Sequence, residues 1–234
     1  MKKRNMCNKE QAAKDLRQVN EIFKKYSLDC WLDYGALLGA IRDNDFIPWD
    51  EDIDLGYIGD GKKFYDLQDV FEKKGWKLFP KYGGIKILNA NHTSKIDINL
   101  YSYLSNGICR VYALYNTLGN IMDFVTWILS LYPVEYKYET RLSLTTLKKI
   151  ENVVSVMPSL LRRTILYITI LVHDTIGCEK HSETTPREYI EPLKATIFKD
   201  VDILIPNNPM KYLEFLYGYD WKTPKQNWRA YKKI

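Results

Sequence analysis

The chain has 234 residues with 34 basic against 29 acidic side chains, a formal charge of +5, 46% hydrophobic and 27% charged residues. That balance excludes a disordered, collagenous or fibrous chain and predicts one large domain or one domain with an appendage. The mild positive excess suits phosphate-bearing ligands or an anionic membrane face, but the lysines are scattered and no RNP, helix-turn-helix or zinc-finger pattern accompanies them, so we expect no nucleic-acid partner.

Residues 8 to 26 place Ala12, Leu16, Val19, Phe23 and Tyr26 on one helical face, with Asn8 and Gln11 in capping-box positions, and predict an amphipathic first helix. Cys30-Trp31-Leu32-Asp33 predicts a short strand ended by a turn at Gly35, followed by a short helix over Ala36 to Arg42. Pro48 keeps the next stretch out of a helix, and Ile53-Asp54-Leu55 begins a strand. Asp60 to Lys74 is helical through Phe64, Leu67, Val70 and Phe71, with Gly75 as its stop. Three further strands are predicted at Trp76 to Phe79, Ile85 to Leu88 and Lys95 to Leu100.

From about Val111 the character changes to long apolar helical runs, Leu118 to Val134 and Leu160 to Val172 among them. The C-terminal part returns to mixed structure, a strand over Val201 to Pro206 and a helix over Met210 to Tyr217 closed by Gly218. We therefore expect an α/β core in residues 1–110, a helical insertion in 111–185 that faces the acceptor or a membrane, and a segment 186–234 that returns to the core.

No apolar run reaches the roughly 20 residues of a membrane span. The first six residues pass straight into polar sequence without an apolar leader, and Cys7, Cys30, Cys109 and Cys178 lie far apart. A cytoplasmic protein with free, mostly buried thiols is expected.

Six acidic residues fall within the twelve positions Asp43 to Asp54: Asp43, Asp45, Asp50, Glu51, Asp52 and Asp54. Carboxylates so close together raise one another's pKa unless solvent, basic partners or a divalent cation offsets the repulsion. A solvated acidic loop is the plain reading. The arrangement says more, because Asp52 and Asp54 flank Ile53 and so share one face of a strand, which suits Mg²⁺. Asp97, isolated between Ile96 and Ile98 on a later strand, is placed to add a third carboxylate.

An EF-hand is excluded, since counting from Asp43 puts Pro48 at the sixth position and Asp54 at the twelfth. A nucleotide-sugar glycosyltransferase of the D-x-D type requires several βα units before its aspartates, and only 51 residues precede Asp52. Glycine, short helix, paired aspartates on the next strand and a third on a later strand is instead the order of a nucleotidyltransferase. In that order the glycine lets backbone N–H groups approach a phosphate, and metal ions clamp the attacking and leaving oxygens.

Tyr34-Gly35-Ala36-Leu37-Leu38-Gly39-Ala40-Ile41-Arg42, followed by Phe46-Ile47-Pro48-Trp49-Asp50-Glu51-Asp52-Ile53-Asp54, resembles the signature of the LicD family, which includes bacterial phosphocholine transferases and fukutin-related proteins. Ile205-Pro206, Tyr212-Leu213, Tyr217-Gly218-Tyr219-Asp220-Trp221 and Pro224 are similar to that family's closing pattern, while residues 102–186 match loosely. The resemblance implies a nucleotidyltransferase-like mixed sheet with flanking helices. It further implies transfer of a substituted phosphate, phosphocholine or a polyol phosphate, from a CDP-linked donor to a hydroxyl of a cell-surface or lipid-linked glycan. CMP is released and Mg²⁺ or Mn²⁺ is required. Asp52 and Asp54 carry over as metal ligands, Asp97 as a third ligand or as the base, and Gly35 as the residue facing the donor phosphates.

Ala36 departs from the family's usual threonine or serine; a lost hydroxyl contact costs on the order of 1 kcal/mol and leaves the backbone donors of Ala36 and Leu37 in place. Arg42 is the expected cation for the diphosphate or for Asp50, Lys86 a weaker phosphate contact, and Trp49 a stacking surface for the base. Two other functions share these residues: passage of a nucleotide to a small acceptor with release of diphosphate, and a silent glycan- or nucleotide-binding module. His173, Cys178 and His181 have a spacing that could supply three zinc ligands, although polar loop residues explain it as well. Trp221, Trp228 and Tyr231 in the tail are expected at the acceptor. The apolar segments 118–134 and 160–172, with Lys148, Lys149, Arg162 and Arg163 beside them, suggest either a buried helical subdomain or a peripheral contact with the inner membrane face.

Overall fold

The computed structural model describes residues 9–50, 52–81, 83–89, 95–115, 117–129, 143–172, 176 and 178–226. Its elements in chain order are α1 (Lys9–Lys25), β1 (Trp31–Leu32), α2 (Tyr34–Arg42), β2 (Ile53–Ile58), α3 (Lys62–Asp66), α4 (Gln68–Lys73), β3 (Trp76–Lys81), β4 (Gly84–Asn89), β5 (Lys95–Leu104), β6 (Gly107–Tyr115), α5 (Thr117–Leu129), α6 (Leu144–Ser155), α7 (Ser159–Val172), β7 (Cys178–Thr185), α8 (Arg187–Ile190), β8 (Lys194–Phe198), β9 (Val201–Ile205) and α9 (Pro209–Tyr217). The chain divides into two compact units, one of residues 1–111 with 182–234 and one of residues 112–181.

In the larger unit the strands run β3-β4-β5-β2-β1-β9-β8, with β6 beside β5 off this path. The sheet is mixed, as the family resemblance implies: β2 is parallel to β5 and β1 to β9, while β3, β4 and β5 form antiparallel neighbours. Strict alternation gives the sheet two chemistries. One face carries Leu32, Ile53, Leu55, Ile85, Ile87, Ile96 and Ile98, all essentially inaccessible. Phe23 of α1, Phe64 of α3 and Phe71 of α4 belong to the same core, Phe23 meeting Phe64 edge-on at 5.8 Å and Phe71 at 6.3 Å. The other face carries Trp31, Asp33, Asp54, Gly56, Asp97, Asn99 and Tyr101, the polar residues from which the site is made.

Three expectations are revised. Gly35 does not end the strand in a turn: α2 already begins at Tyr34, because Asp33 caps it by accepting the Tyr34 N–H at 3.0 Å. The helix over residues 60–74 is two short ones, interrupted at Leu67; Gly75, at φ 82°, does stop it. Residues 111–185 are not helical throughout, since β6 extends to Tyr115 and Cys178–Thr185 forms β7. Strand β8 has exposed positions at Lys194, Ala195 and Ile197, so it carries too little apolar alternation to be read from sequence.

The smaller unit packs α6 and α7 on α5, burying Ile128, Leu129, Leu147, Val154 and Thr169. Among the described residues no helix is long and apolar enough to cross a membrane. Cys30 and Cys109 are free and buried. Asn8, Glu51, His173, Trp228 and Tyr231 lie outside the described residues, as do positions 130–134 of the apolar segment 118–134.

Candidate functional site

One row of side chains crosses the polar face of the sheet. Lys86 on β4 stands opposite Asp97 on β5, Asp97 is in register with Asp54 on β2, and the Asp33 N–H donates to the Asp54 carbonyl at 3.0 Å where β1 ends. The predicted carboxylates Asp54 and Asp97 are therefore neighbours across a parallel strand pair. Asp97 is buried, at 7% exposure, and Asp54 is half-buried.

Asp33 is the residue that sequence reasoning missed. It is fully buried and accepts hydrogen bonds from the hydroxyls of Tyr101 and Tyr212, both at 2.8 Å, from Asn99 Nδ2 at 3.1 Å and from the Tyr34 N–H. Burial pushes its carboxyl above the usual range, against the lowering effect of the Arg110 guanidinium and these donors. Asn99 also reaches Asp54 Oδ1 at 3.4 Å and accepts from Arg110 Nη2 at 2.7 Å. Arg110, itself buried, lies over the Tyr34 ring at 4.6 Å. Tyr34, the first residue of α2, is held at φ 35°, a strained value for a side-chain-bearing residue, with its hydroxyl donating to Glu183 at 3.2 Å. Two signals for this network were present: an Asp immediately before a helix-forming run, and Asn99 two places beyond Asp97 on one strand. Nothing in the sequence pointed to Arg110.

A cavity of about 530 Å³ adjoins this face, bordered by α2, by the loop that holds Trp49 and Asp50, and by residues 217–226. Of the predicted residues it brings together Gly35, Arg42, Trp49, Asp50, Asp54 and Trp221, and it adds Arg110, Tyr217 and Lys225. Asp52, Asp97 and Lys86 do not line it. The side chains of Ala36 and Leu37 are turned into the core, at 4% and 0% exposure, so only their backbone could serve a ligand. Trp221 is buried at the cavity wall.

Gly35 is glycine for a specific reason, since a Cβ there would lie 2.0 Å from Asp50 Oδ2. The carboxylate presses against the first turn of α2, where unpaired helix N–H groups and the helix dipole favour negative charge. Arg42 pairs with Asp43 rather than Asp50, its Nε and Nη2 donating at 2.8 and 2.7 Å. Burial, then the carboxylates of Asp54 and Asp50, hold the Tyr217 phenol well above its usual pKa, so it enters the site as a neutral hydroxyl. Gly39 is required by the returning loop: its Cβ would meet the Asp45 carbonyl at 2.4 Å.

The donor set suits a hard divalent cation. Asp54 and Asp97 sit side by side on adjacent strands, and position 52 is two residues back from Asp54 along the same chain direction. Among the described residues no three His, Cys, Asp or Glu side chains converge tightly enough to enclose an ion; a Mg²⁺ site of one or two carboxylates completed by water and phosphate oxygens needs no such cage. The zinc reading gains nothing: His173 is outside the described residues, and His181 stacks on Tyr112 at 5.6 Å.

Comparison with known proteins adds three findings. The model of the LicD/FKTN/FKRP nucleotidyltransferase domain matches residues 27–156, more than half the chain. The match runs on through residues 102–156, where only a loose likeness is expected, and stops short of the C-terminal pattern. Among curated proteins, the uncharacterized protein RT0683 of Rickettsia typhi is 28% identical over 64 residues, 27% of this chain and 21% of that protein. The ribitol 5-phosphate transferase FKRP of Homo sapiens is 47% identical over 45 residues, 19% of this chain and 9% of its own length. The chain thus spans only a small part of each of these relatives. Among solved structures, the lincosamide antibiotic adenylyltransferase LnuA is 13% identical at a TM-score of 0.42, covering 93% of this chain and 90% of that one.

Proposed function

Since this chain belongs to the LicD family, we propose that it transfers a substituted phosphate from a CDP-linked donor to a hydroxyl of a cell-surface or lipid-linked glycan, with Mg²⁺ or Mn²⁺ as cofactor and CMP as the leaving product. The observation that carries the reading is the cavity in which Asp54 meets three cationic side chains, Arg42, Arg110 and Lys225, and two tryptophans, Trp49 and Trp221. Carboxylate for metal, cations for diphosphate and flat aromatic faces for a base are the three parts a nucleotide-linked donor needs.

In this reading Asp52 and Asp54 hold the metal, with Asp97 as third ligand or as the base that takes the acceptor hydroxyl proton. When bound, the metal supplies charge stabilisation at the transferring phosphate. The acceptor oxygen forms a bond to the phosphorus bearing the alcohol substituent, the bond from that phosphorus to the CMP oxygen breaks, and the proton passes to the carboxylate. Arg110 and Arg42 neutralise the diphosphate, and half-buried Tyr217 offers a neutral hydroxyl donor.

Thermal stabilisation by CDP-choline, CDP-glycerol and CDP-ribitol, each with and without Mg²⁺, tests the proposal, because a ligand specific for the native state raises its melting temperature. A Mg²⁺-dependent rise with one donor, absent in Asp52→Ala/Asp54→Ala, supports it and identifies the headgroup. No rise with any cytidine donor in folded protein, or release of diphosphate rather than CMP on turnover, overturns it.

A further inference from the structure

The helical unit turns apolar residues outward where they are expected inward. Helix α6 buries Leu147 and Val154, yet Val153 is 67% exposed, and in the turn that follows Val156 is 81% exposed. Helix α7 opens with Leu160 and Leu161, 78% and 50% exposed, and continues the same outward line through Thr164 to Ile168 at 53%. A water-facing helix surface normally carries charged or polar residues. Here the outward positions of the α6–α7 corner include Asn152, Ser155 and Pro158 but are mostly Val, Leu, Ile and Thr, an apolar surface of the kind that marks an interaction site.

Two observations identify what covers it. The first is charge: from Ser143 to Val172 the basic residues are Lys148, Lys149, Arg162 and Arg163, against Glu151 as the one acid. Lys148 and Lys149 are exposed on α6, one to two turns before the corner. Basic residues flanking an apolar tip match an anionic lipid surface, whose headgroups meet the cations while the tip enters the acyl boundary. The second is the fate of the hydroxyls. Of the exposed hydroxyls here, Ser155 donates to the Asn152 carbonyl at 2.8 Å and Thr164 to the Leu160 carbonyl at 3.0 Å. Both O–H donors are used within their own helix, so neither is stranded when water is withdrawn.

We propose that the α6–α7 corner, Val153 to Leu161 with Ile168, is a monotopic membrane-docking surface selective for anionic lipid. The surface lies in the unit outside the carboxylate site, so it stands or falls independently of the donor assignment.

Flotation of the full chain with vesicles of phosphatidylcholine containing about a third phosphatidylglycerol, against phosphatidylcholine alone, tests it. Expected are binding to the anionic vesicles that weakens in high salt, and a loss of about tenfold or more in both Val156→Asp/Leu160→Asp and Lys148→Glu/Lys149→Glu. All four positions are exposed, and an unchanged melting temperature in each variant verifies that the fold survives. Absence of vesicle binding by the wild-type chain overturns the proposal. So does equal binding to neutral vesicles, and so does a self-associated chain that Val156→Asp/Leu160→Asp converts to monomer without any effect on lipid, which would make the corner an interface between copies.

Discussion

Asn99 is the residue on which sheet and site depend together, and Asn99→Leu measures that dependence. Its amide accepts from Arg110 at 2.7 Å and donates to Asp33 at 3.1 Å and to Asp54 at 3.4 Å, all within the buried polar face. A hydrogen bond to a charged group contributes about 1.5–3 kcal/mol, and two of these three are short enough to count in full. Leucine keeps the bulk but strips a donor from one buried carboxylate and an acceptor from a buried guanidinium, so the expected loss is about 3–5 kcal/mol. With a urea slope of about 2 kcal/mol/M, the unfolding midpoint falls by roughly 2 M. Circular dichroism against urea reads this directly. Asn99→Asp separates geometry from charge, since it preserves the Arg110 contact but sets a third carboxylate beside Asp33 and Asp54. The introduced carboxyl has a folded pKa above its unfolded value, so this variant is destabilised at neutral pH and recovers as pH falls and the group takes up a proton that it can donate. A loss under about 1 kcal/mol in Asn99→Leu, or no recovery of Asn99→Asp in acid, would refute the argument.

Gly35→Ala is expected to change stability little, because alanine's higher helix propensity offsets the displacement of Asp50 by about 1 kcal/mol, while the Mg²⁺-dependent thermal shift with a CDP donor shrinks; an unchanged shift contradicts the placement of Gly35 against the donor phosphates. Gly56→Ala drives a Cβ to within 2.2 Å of the buried Trp31 indole, and its melting temperature is expected to drop by about 5–10 °C, the overpacking cost of ~2–3 kcal/mol in a chain of this size. Asp45 loses solvation, but Lys199 at 2.7 Å, Lys9 at 2.6 Å and the Phe46 N–H bring its pKa down to about 2. Its depressed value means that the stabilisation is present above pH ~4 and is lost as pH falls toward 2. The group is about a third exposed, so we expect ~1 kcal/mol after screening, and Lys9→Met should flatten the acid limb of a stability–pH curve by part of that amount.

What was legible in the sequence is what periodicity records. Alternation about Asp54 and Asp97 put both on one strand face, and their register on β2 and β5 is the consequence. The 3.6-residue spacing of Leu16, Val19 and Phe23 gave α1 its buried side. What was hidden depends on neighbours distant in the chain. Asp33 reads as the last residue of a short strand until Tyr101 and Tyr212, 68 and 179 residues away, supply its donors. Arg42 reads as a partner for Asp50 until the backbone sets Asp43 within reach of its guanidinium. Gly35 reads as the place where a donor phosphate comes close, and the group against it in this structure is the chain's own Asp50. Strand β6 was lost because its second half, Val111 to Tyr115, is as apolar as the helix that follows it.

The row from Asp33 to Lys86 sets Asp33, Asp54 and Asp97 side by side across the polar face of the sheet. Neighbouring strands lie about 4.8 Å apart, so successive members of the row repel unless each is compensated. At one end Asp33 has its four donors; at the other, Asp97 stands opposite Lys86. Asp54 lies between two carboxylates and borders the cavity, so a cation arriving there relieves the largest repulsion. It follows that Asp54→Asn, which deletes the central charge while retaining an oxygen for Asn99 to address, should raise the melting temperature of the metal-free protein by a few degrees, about 1 kcal/mol. The same substitution should abolish stabilisation by Mg²⁺ with a CDP donor. A variant that melts lower than the wild type without metal would show that Asp54 is held by the fold for structural reasons, and the proposed metal site would lose its physical ground.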